Sequence, residues 1–339
     1  MPLECCIKKL LPNFIAFLLA LSFTGAAGAA THIWSGGGAE ELASNPGNWE
    51  GGVPPQSGSD VVFDDTSSKN CTWDLNITLS SFNISPGYEG SIIINADLVV
   101  DNPFTWTGAG GDTLASNPAN WSGGAMPQSG DNLDFDGTKD CMWDLNISPG
   151  SLILDTGFSG TITLITYLSI SGGLYIKGGL LDLNDKSLTV LGDIVIGPDG
   201  TLDATSSVIQ LRGDWINSGV FIAGTSMVIL NGPDQTIYGD NTFYNLVKTS
   251  AYGNTLYFES GRTLTVLNNL ILTGTAGTLL SLRSSDNDTS WAIDPGGSRR
   301  ISHTDIRDMR NINPVGLDAE NSVDSGNTDN VYFDIDQCL

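Results

Sequence analysis

Basic residues and histidine are scarce in this chain. Lysine and arginine number 14 against 38 aspartates and glutamates, which gives a formal net charge of −24, and only two histidines occur. A surface of this sign repels phosphate backbones and anionic lipid headgroups, so we expect no nucleic-acid partner. Neither histidine has a cysteine or a second histidine at ligand spacing, which argues against zinc.

Helical patterns and long apolar runs are also missing beyond the N-terminal segment. No apolar stripe recurs at helical spacing over three turns, and no run approaches the ~18 apolar residues of a membrane span. Residues 1–29 are different, because Lys8 and Lys9 precede an apolar run at 14–23 and an A-x-A sequence at 27–29. This order is typical of a cleavable secretory signal peptide. The sequence predicts a secreted or cell-surface protein with no membrane span after cleavage.

Cysteines are few, and three follow the signal peptide: Cys71, Cys141 and Cys338. An odd number leaves at least one thiol without an intramolecular partner. Cys71 and Cys141 lie at equivalent places, each two residues before the tryptophan of a WDLNI sequence. We expect two separately buried thiols; a bridge between them is the alternative in an oxidising compartment. The sequence indicates no partner for Cys338.

One segment of the chain occurs twice, as an internal sequence repeat. LASNPGNW at 42–49 returns as LASNPANW at 114–121, and PQSG and WDLNI follow both copies. Trp34 and Trp106 are 72 positions apart, as are Trp49 and Trp121. The duplication predicts two Trp/Gly-rich β modules, at residues 30–103 and 104–149.

The rest of the chain consists of short β-branched and leucine-rich runs separated by glycine, asparagine and aspartate, which predicts an all-β protein. SVIQLRG at 207–213 aligns with SMVILNG at 226–232 at an offset of 19, and LGD at 191–193 aligns with RGD at 212–214 at an offset of 21. A period near 20 is typical of a β-solenoid, in which each turn stacks on the one before. We predict about seven turns over residues 150–295 and terminal turns over 296–339. An immunoglobulin-type sandwich is the alternative, but it would show no such period.

A family resemblance supports this interpretation. The W-x-G-G opening with NPGNW-x-GG-x-P at 45–54, the segment at 213–246, and SVDSGNTDNVYF at 322–333 resemble bacterial exported β-strand-repeat proteins. The resemblance implies a right-handed parallel β-helix of the kind found in autotransporter passengers and filamentous adhesins. It also implies a surface or extracellular role without catalysis.

Two groups of residues are candidate binding sites. Paired tryptophans would stack on sugar rings if exposed, although large rings in small glycine-rich modules are more often core; these are Trp34, Trp49, Trp106 and Trp121. Acidic loops with glycine suit calcium, although the spacing departs from a complete calcium loop; their residues are Asp60, Asp64, Asp65, Asp131, Asp134 and Asp136. The corresponding partners are extracellular glycans, envelope components or a second copy of the chain. No other cofactor is indicated.

Catalytic patterns are weak. Ser302 and His303 would point to opposite faces of one strand, which excludes a nucleophile–base pair, whereas His303 and Asp305 would share a face. The Asn327-Thr328-Asp329 sequence is similar to one found in β-helical pectin hydrolases, but their G-H-G and R-x-K sequences are missing. The basic residues of 150–295 show no acidic partner cluster. We expect a non-catalytic adhesive, matrix or envelope protein. The alternative is a polysaccharide lyase, hydrolase or carbohydrate-binding module, which a groove combining a carboxylate with arginine or lysine would favour.

Overall fold

The computed structural model describes residues 30–57, 59–79, 81–85, 87–100 and 103–334. The predicted signal peptide and Cys338 lie outside these residues. The chain divides into an N-terminal unit, Met1–Asn102, and a C-terminal unit, Pro103–Leu339. The architecture is an all-β parallel solenoid of about 12 turns. Within the described ranges there is no α-helix, and no helix long and apolar enough to cross a membrane.

The described residues of the N-terminal unit form seven short strands: β1 (Thr31–Ile33), β2 (Asp60–Phe63), β3 (Cys71–Trp73), β4 (Ile77–Leu79), β5 (Ser81–Ile84), β6 (Ile92–Ile94) and β7 (Leu98–Val100). They pair in parallel as β1-β2-β5, β3-β6 and β4-β7. Two 3-10 turns, Pro46–Asn48 and Glu50–Gly52, flank Trp49. Asn45 starts the first of these turns by accepting a hydrogen bond from the Gly47 backbone N–H.

The C-terminal unit contains the remaining strands: β8 (Pro103–Trp106), β9 (Asn132–Phe135), β10 (Cys141–Trp143), β11 (Ser151–Leu154), β12 (Thr161–Leu164), β13 (Leu168–Ile170), β14 (Leu174–Ile176), β15 (Leu180–Asp182), β16 (Leu188–Val190), β17 (Ile194–Ile196), β18 (Thr201–Asp203), β19 (Val208–Leu211), β20 (Trp215–Asn217), β21 (Val220–Ile222), β22 (Met227–Leu230), β23 (Gln235–Tyr238), β24 (Asn241–Thr249), β25 (Thr255–Phe258), β26 (Thr263–Thr273), β27 (Leu280–Ser284), β28 (Trp291–Pro295), β29 (Ser298–Ser302), β30 (Thr304–Ile306), β31 (Met309–Asn311), β32 (Leu317–Glu320), β33 (Val323–Asp324) and β34 (Val331–Phe333). Two 3-10 turns, Pro118–Asn120 and Ser122–Gly124, repeat those of the N-terminal unit.

Three parallel sheets form the sides of this solenoid. The first sheet has 11 strands in the order β33-β30-β27-β25-β23-β20-β17-β14-β11-β9-β8, and the second runs from β13 to β34. The third has only five strands, β10-β12-β15-β18-β21. The first sheet crosses residues 150–295 seven times, as predicted. Its strands β8 and β9 belong to the second tryptophan-rich copy, so that copy is continuous with the sheet that follows it.

Stacked side chains fill the interior. One inward column of the first sheet takes a large apolar residue from each successive turn: Leu133, Leu152, Leu174, Ile194, Trp215 and Ile237. The predicted offsets are confirmed, because Val208 pairs with Met227 and Ile194 with Trp215. The strand pairs are parallel throughout the described residues, which excludes the sandwich alternative. Burial of such columns is the dominant stabilising term.

The third sheet stops at β21 because the next turn is shorter. The stretch of chain from Trp215 to Met227 is longer than the stretch between their partners in the next turn, which runs only from Ile237 to Asn245. In this shorter turn β24 follows β23 directly, and its first part, Asn241–Phe243, pairs with β26 rather than with β21. β21 therefore forms the end of its sheet, and Val220 and Ile222 are 49% and 44% exposed. We call this change in cross-section the step.

Candidate functional site

The candidate sugar-stacking tryptophans lie in the two cores. Trp34 and Trp49 are 0% and 2% exposed, with ring centroids 5.1 Å apart; Trp106 and Trp121 are 1% and 2% exposed, again 5.1 Å apart. The Nε1 groups of Trp49 and Trp121 each donate to a backbone carbonyl at 2.7 Å. A buried ring has no free face for a sugar. The geometry therefore gives these four residues a packing role.

The candidate calcium carboxylates are distributed along strands and turns. Asp60 accepts a hydrogen bond from Ser81 at 2.7 Å, and Asp131 accepts one from the Gln128 backbone N–H at 2.7 Å. The hydroxyl and backbone N–H of Thr66 hold the pKa of Asp64 below its usual range. Asp134 lies within β9, and the exposed Asp65 and Asp136 follow β2 and β9. No group of three or more such side chains in the described ranges is placed to hold a metal ion, so the geometry gives calcium no support.

The prediction that His303 and Asp305 share a strand face is wrong. His303 has a φ of 53° and forms the corner between β29 and β30, so the two residues do not share a strand face. Asp305 instead pairs with Arg283 at 2.5 Å. Ser302 is buried at the end of β29. The strand pattern did not reveal this corner. Histidine, like asparagine and aspartate, is among the non-glycine residues most often found at positive φ, and here it divides an apparent strand into two.

The Asn327-Thr328-Asp329 sequence occupies a similar corner. Asn327 donates to the buried Asp308 at 2.7 Å, and Asp329 lies 3.7 Å from Arg310. Thr328 donates to Asp324 at 3.2 Å. Each of the three side chains is engaged with a neighbour in the same or an adjacent turn, as a structural corner requires.

A polar groove lies at the step. Its volume is about 530 Å³, and three successive turns line it: Ile216, Asn217, Ser218 and Gly219 from the first, Tyr238, Gly239 and Asp240 from the second, Glu259 and Arg262 from the third. Ile216 pairs with Tyr238 in the first sheet, and Glu259 follows one turn later, its backbone N–H donating to Ile237. The groove thus combines an aromatic ring, two carboxylates, a guanidinium group and a side-chain amide.

The charged side chains of the groove form ion pairs with one another. Arg262 Nη1 donates to Asp240 Oδ2 at 3.3 Å, and its Nε lies 3.6 Å from Glu259 Oε1. Asp240 also accepts the Thr263 backbone N–H, and Glu259 the Gly239 backbone N–H, both at 2.7 Å. The side chains of Arg262 and Asp240 are 51% and 62% exposed, so solvent or a ligand reaches them.

A buried asparagine fixes the floor of the groove. Asn241, 3% exposed, accepts hydrogen bonds from Trp215 Nε1 at 2.8 Å and Asn217 Nδ2 at 3.1 Å. Its own amide donates to the carbonyls of Tyr238 and Gly239, both at 2.9 Å. Gly239 has a φ of 87°, and a Cβ there would lie 2.1 Å from the Asn217 carbonyl oxygen. Only glycine fits this close approach.

A buried lysine lies at the other end of β23. Lys248 is 0% exposed, and its Nζ donates to the carbonyls of Gly232 and Pro233 at 2.7 and 2.8 Å and to Gln235 Oε1 at 2.6 Å. Burial lowers the pKa of Lys248 to about 8. The three acceptors use all of the ammonium donors, so the side chain links residues of the same turn.

The groove was not predicted from the sequence. The sequence showed no acidic partner cluster for the basic residues of 150–295, whereas Arg262 has two carboxylate partners; Lys177 also pairs with Asp155, at 3.1 Å. The available signal was the period itself, because Tyr238 and Glu259 lie one turn apart, at an offset of 21. A second depression, about 450 Å³ around His303, has no carboxylate, lysine or arginine in its lining. No protein-family model, curated protein or solved structure matches the chain at a significant level.

Proposed function

We propose that this chain is a non-catalytic protein of the cell surface or extracellular space, with an adhesive, matrix or envelope-structural role. Export is part of the proposal and rests on the signal-peptide pattern of residues 1–29. The proposal includes kinship with exported β-strand-repeat proteins, for which the parallel solenoid is the expected architecture. The fold alone is compatible with polysaccharide-active roles as well, so only the residues of the groove can distinguish the two functions.

The observation that carries the proposal is the pairing inside the groove. Glycoside hydrolysis needs one carboxyl group to donate a proton and a second to act as nucleophile or base. Asp240 and Glu259 are both engaged with Arg262, and each accepts a backbone N–H. Such an arrangement presents acceptors and a fixed cation, which suits recognition of hydroxyl groups rather than proton transfer.

The second candidate function is cleavage of a polysaccharide in the same groove. The combination of Asp240, Glu259 and Arg262 in one cavity favours it, because a lyase or hydrolase needs acid–base groups beside its substrate. The lining holds no lysine or histidine that would take a proton at neutral pH.

A direct test separates the two functions. The full-length protein, expressed with its leader, is followed by immunoblotting of medium, surface-shaved and intracellular fractions. The purified mature chain is then incubated with a polysaccharide panel, and new reducing ends and unsaturated products are measured. We expect recovery in the medium or at the surface and no product above the level of an Asp240→Asn/Glu259→Gln control. Product formation that this control abolishes would establish the enzyme, and retention inside the cell would refute the surface role.

A further inference from the structure

The groove at the step has the dimensions and construction of a ligand site. Small-molecule sites are typically clefts of about 300–1,000 Å³, and its volume of about 530 Å³ falls in that range. Its lining comes from consecutive turns of a rigid stacked scaffold rather than from one long loop. Asn241 and Gly239 fix the floor through main-chain contacts. A site held in this way loses little freedom on binding, which favours affinity.

The lining supplies both kinds of contact that a sugar ring requires. Tyr238 is 37% exposed, so its ring offers a surface for the apolar C–H face of a pyranose. Asp240 and Glu259 accept hydrogen bonds, and the guanidinium of Arg262 donates them in a plane. Paired donors and acceptors of this kind match vicinal hydroxyl groups. The Asn217 and Ser218 side chains extend the polar lining beside them.

Charge decides which saccharides fit. The groove contains two carboxylates and one guanidinium group, and the whole chain has a formal net charge of −24. Such a field repels uronic-acid and sulfated polymers. We propose that the groove formed by Tyr238, Asp240, Glu259 and Arg262 binds a neutral polysaccharide segment. This inference rests on the proposed adhesive function and assigns its ligand class.

Affinity gel electrophoresis of the mature chain tests the inference. The gels contain dextran, galactomannan or laminarin as neutral probes, or polygalacturonate as the anionic probe. The variants are Tyr238→Ala and Asp240→Asn, the latter keeping an acceptor for the Thr263 N–H. Tyr257→Ala is the matched control, because Tyr257 lies in the same sheet with the same 37% exposure but outside the groove lining. Thermal unfolding verifies that each variant is folded, and Tyr238→Phe replaces the alanine variant if that one is not.

We expect at least one neutral probe to retard the wild type, independently of salt. Tyr238→Ala and Asp240→Asn should each weaken this retardation about tenfold, and Tyr257→Ala should leave it unchanged. If Tyr238→Phe is used, it should bind as well as the wild type. Three results would overturn the inference: no retardation by any neutral probe, equal loss in Tyr257→Ala, or retardation by polygalacturonate that salt abolishes. The proposed function fails separately, by release of reducing ends or by retention inside the cell.

Discussion

Replacing Trp49 or Trp121 with alanine empties the same site in the two copies. Each indole is 2% exposed, packs 5.1 Å from a second tryptophan ring and donates to an alanine carbonyl at 2.7 Å. Emptying a large buried aromatic site costs about 3–5 kcal/mol. The carbonyl left without its donor adds ~1 kcal/mol. Because the neighbours are repeated together with the ring, we expect similar losses of about 4–6 kcal/mol in both copies.

The measurement is urea unfolding followed by circular dichroism, with hydrogen exchange read by mass spectrometry to assign the loss to a unit. Trp49→Ala should increase exchange in the N-terminal unit, and Trp121→Ala in the C-terminal unit. Domains typically have only about 5–15 kcal/mol of stability, so either change removes a large fraction of it. Trp49→Phe and Trp121→Phe keep an aromatic ring but lose the N–H, and should cost clearly less than alanine.

An unfolding midpoint that stays at the wild-type value in both alanine variants would refute the packing argument. If such variants also lost retention on a neutral polysaccharide, the tryptophans would be binding platforms, and the groove would lose its assigned role. A large loss in one copy alone would contradict the argument that matched neighbours give matched energies.

Three further predictions follow from buried or constrained positions. Burial lowers the pKa of Lys248 from 10.5 to about 8, so above pH 8 this side chain binds more protons in the unfolded state, and its contribution to stability should rise by up to ~1.4 kcal/mol per pH unit. The buried thiols, whose ordinary pKa is 9.0, oppose this rise because they ionise first in the unfolded state. The urea midpoint of the wild type should therefore gain on that of Lys248→Met as the pH increases from 8, and a constant difference between the two would contradict the assignment. Cys71 and Cys141 are free and buried, and burial raises the pKa of Cys71 to about 12 and that of Cys141 well above its ordinary value. In a Cys338→Ser background both thiols should therefore resist iodoacetamide at neutral pH until urea is added. Rapid labelling of the folded chain would disprove their burial. Gly239→Ala places a Cβ 2.1 Å from the Asn217 carbonyl oxygen and should lower the free energy of unfolding by about 2 kcal/mol or more. Gly261→Ala, at φ 71° with no atom within 4 Å, should lower it by about 1 kcal/mol. Equal shifts in melting temperature would show that the close contact does not matter.

Most of the fold could be predicted from the repeat period. Sequence offsets of 19 and 21 were enough to predict parallel stacking, because each turn must return its inward residues to the same column. The observed pairs Val208–Met227 and Ile194–Trp215 have these offsets. Strand alternation gave the wrong face for His303, because this residue forms a corner at positive φ inside an apparent strand. Local alternation does not reveal a single left-handed residue that divides a run into two strands.

The sequence by itself determined the all-β class, the parallel stacking and the matched tryptophan copies, since all three follow from periodicity and composition. Only the tertiary structure decided where the groove lies. Tyr238 lies 21 positions before Glu259 and 24 before Arg262, and they meet where the turn after β21 is shorter and leaves β21 at the end of its sheet. A change in turn length is invisible to a search for a constant period. The position of the groove depends on which corner is shortened. Here it is the corner at Gly239 and Asn241, and both residues contact the preceding turn.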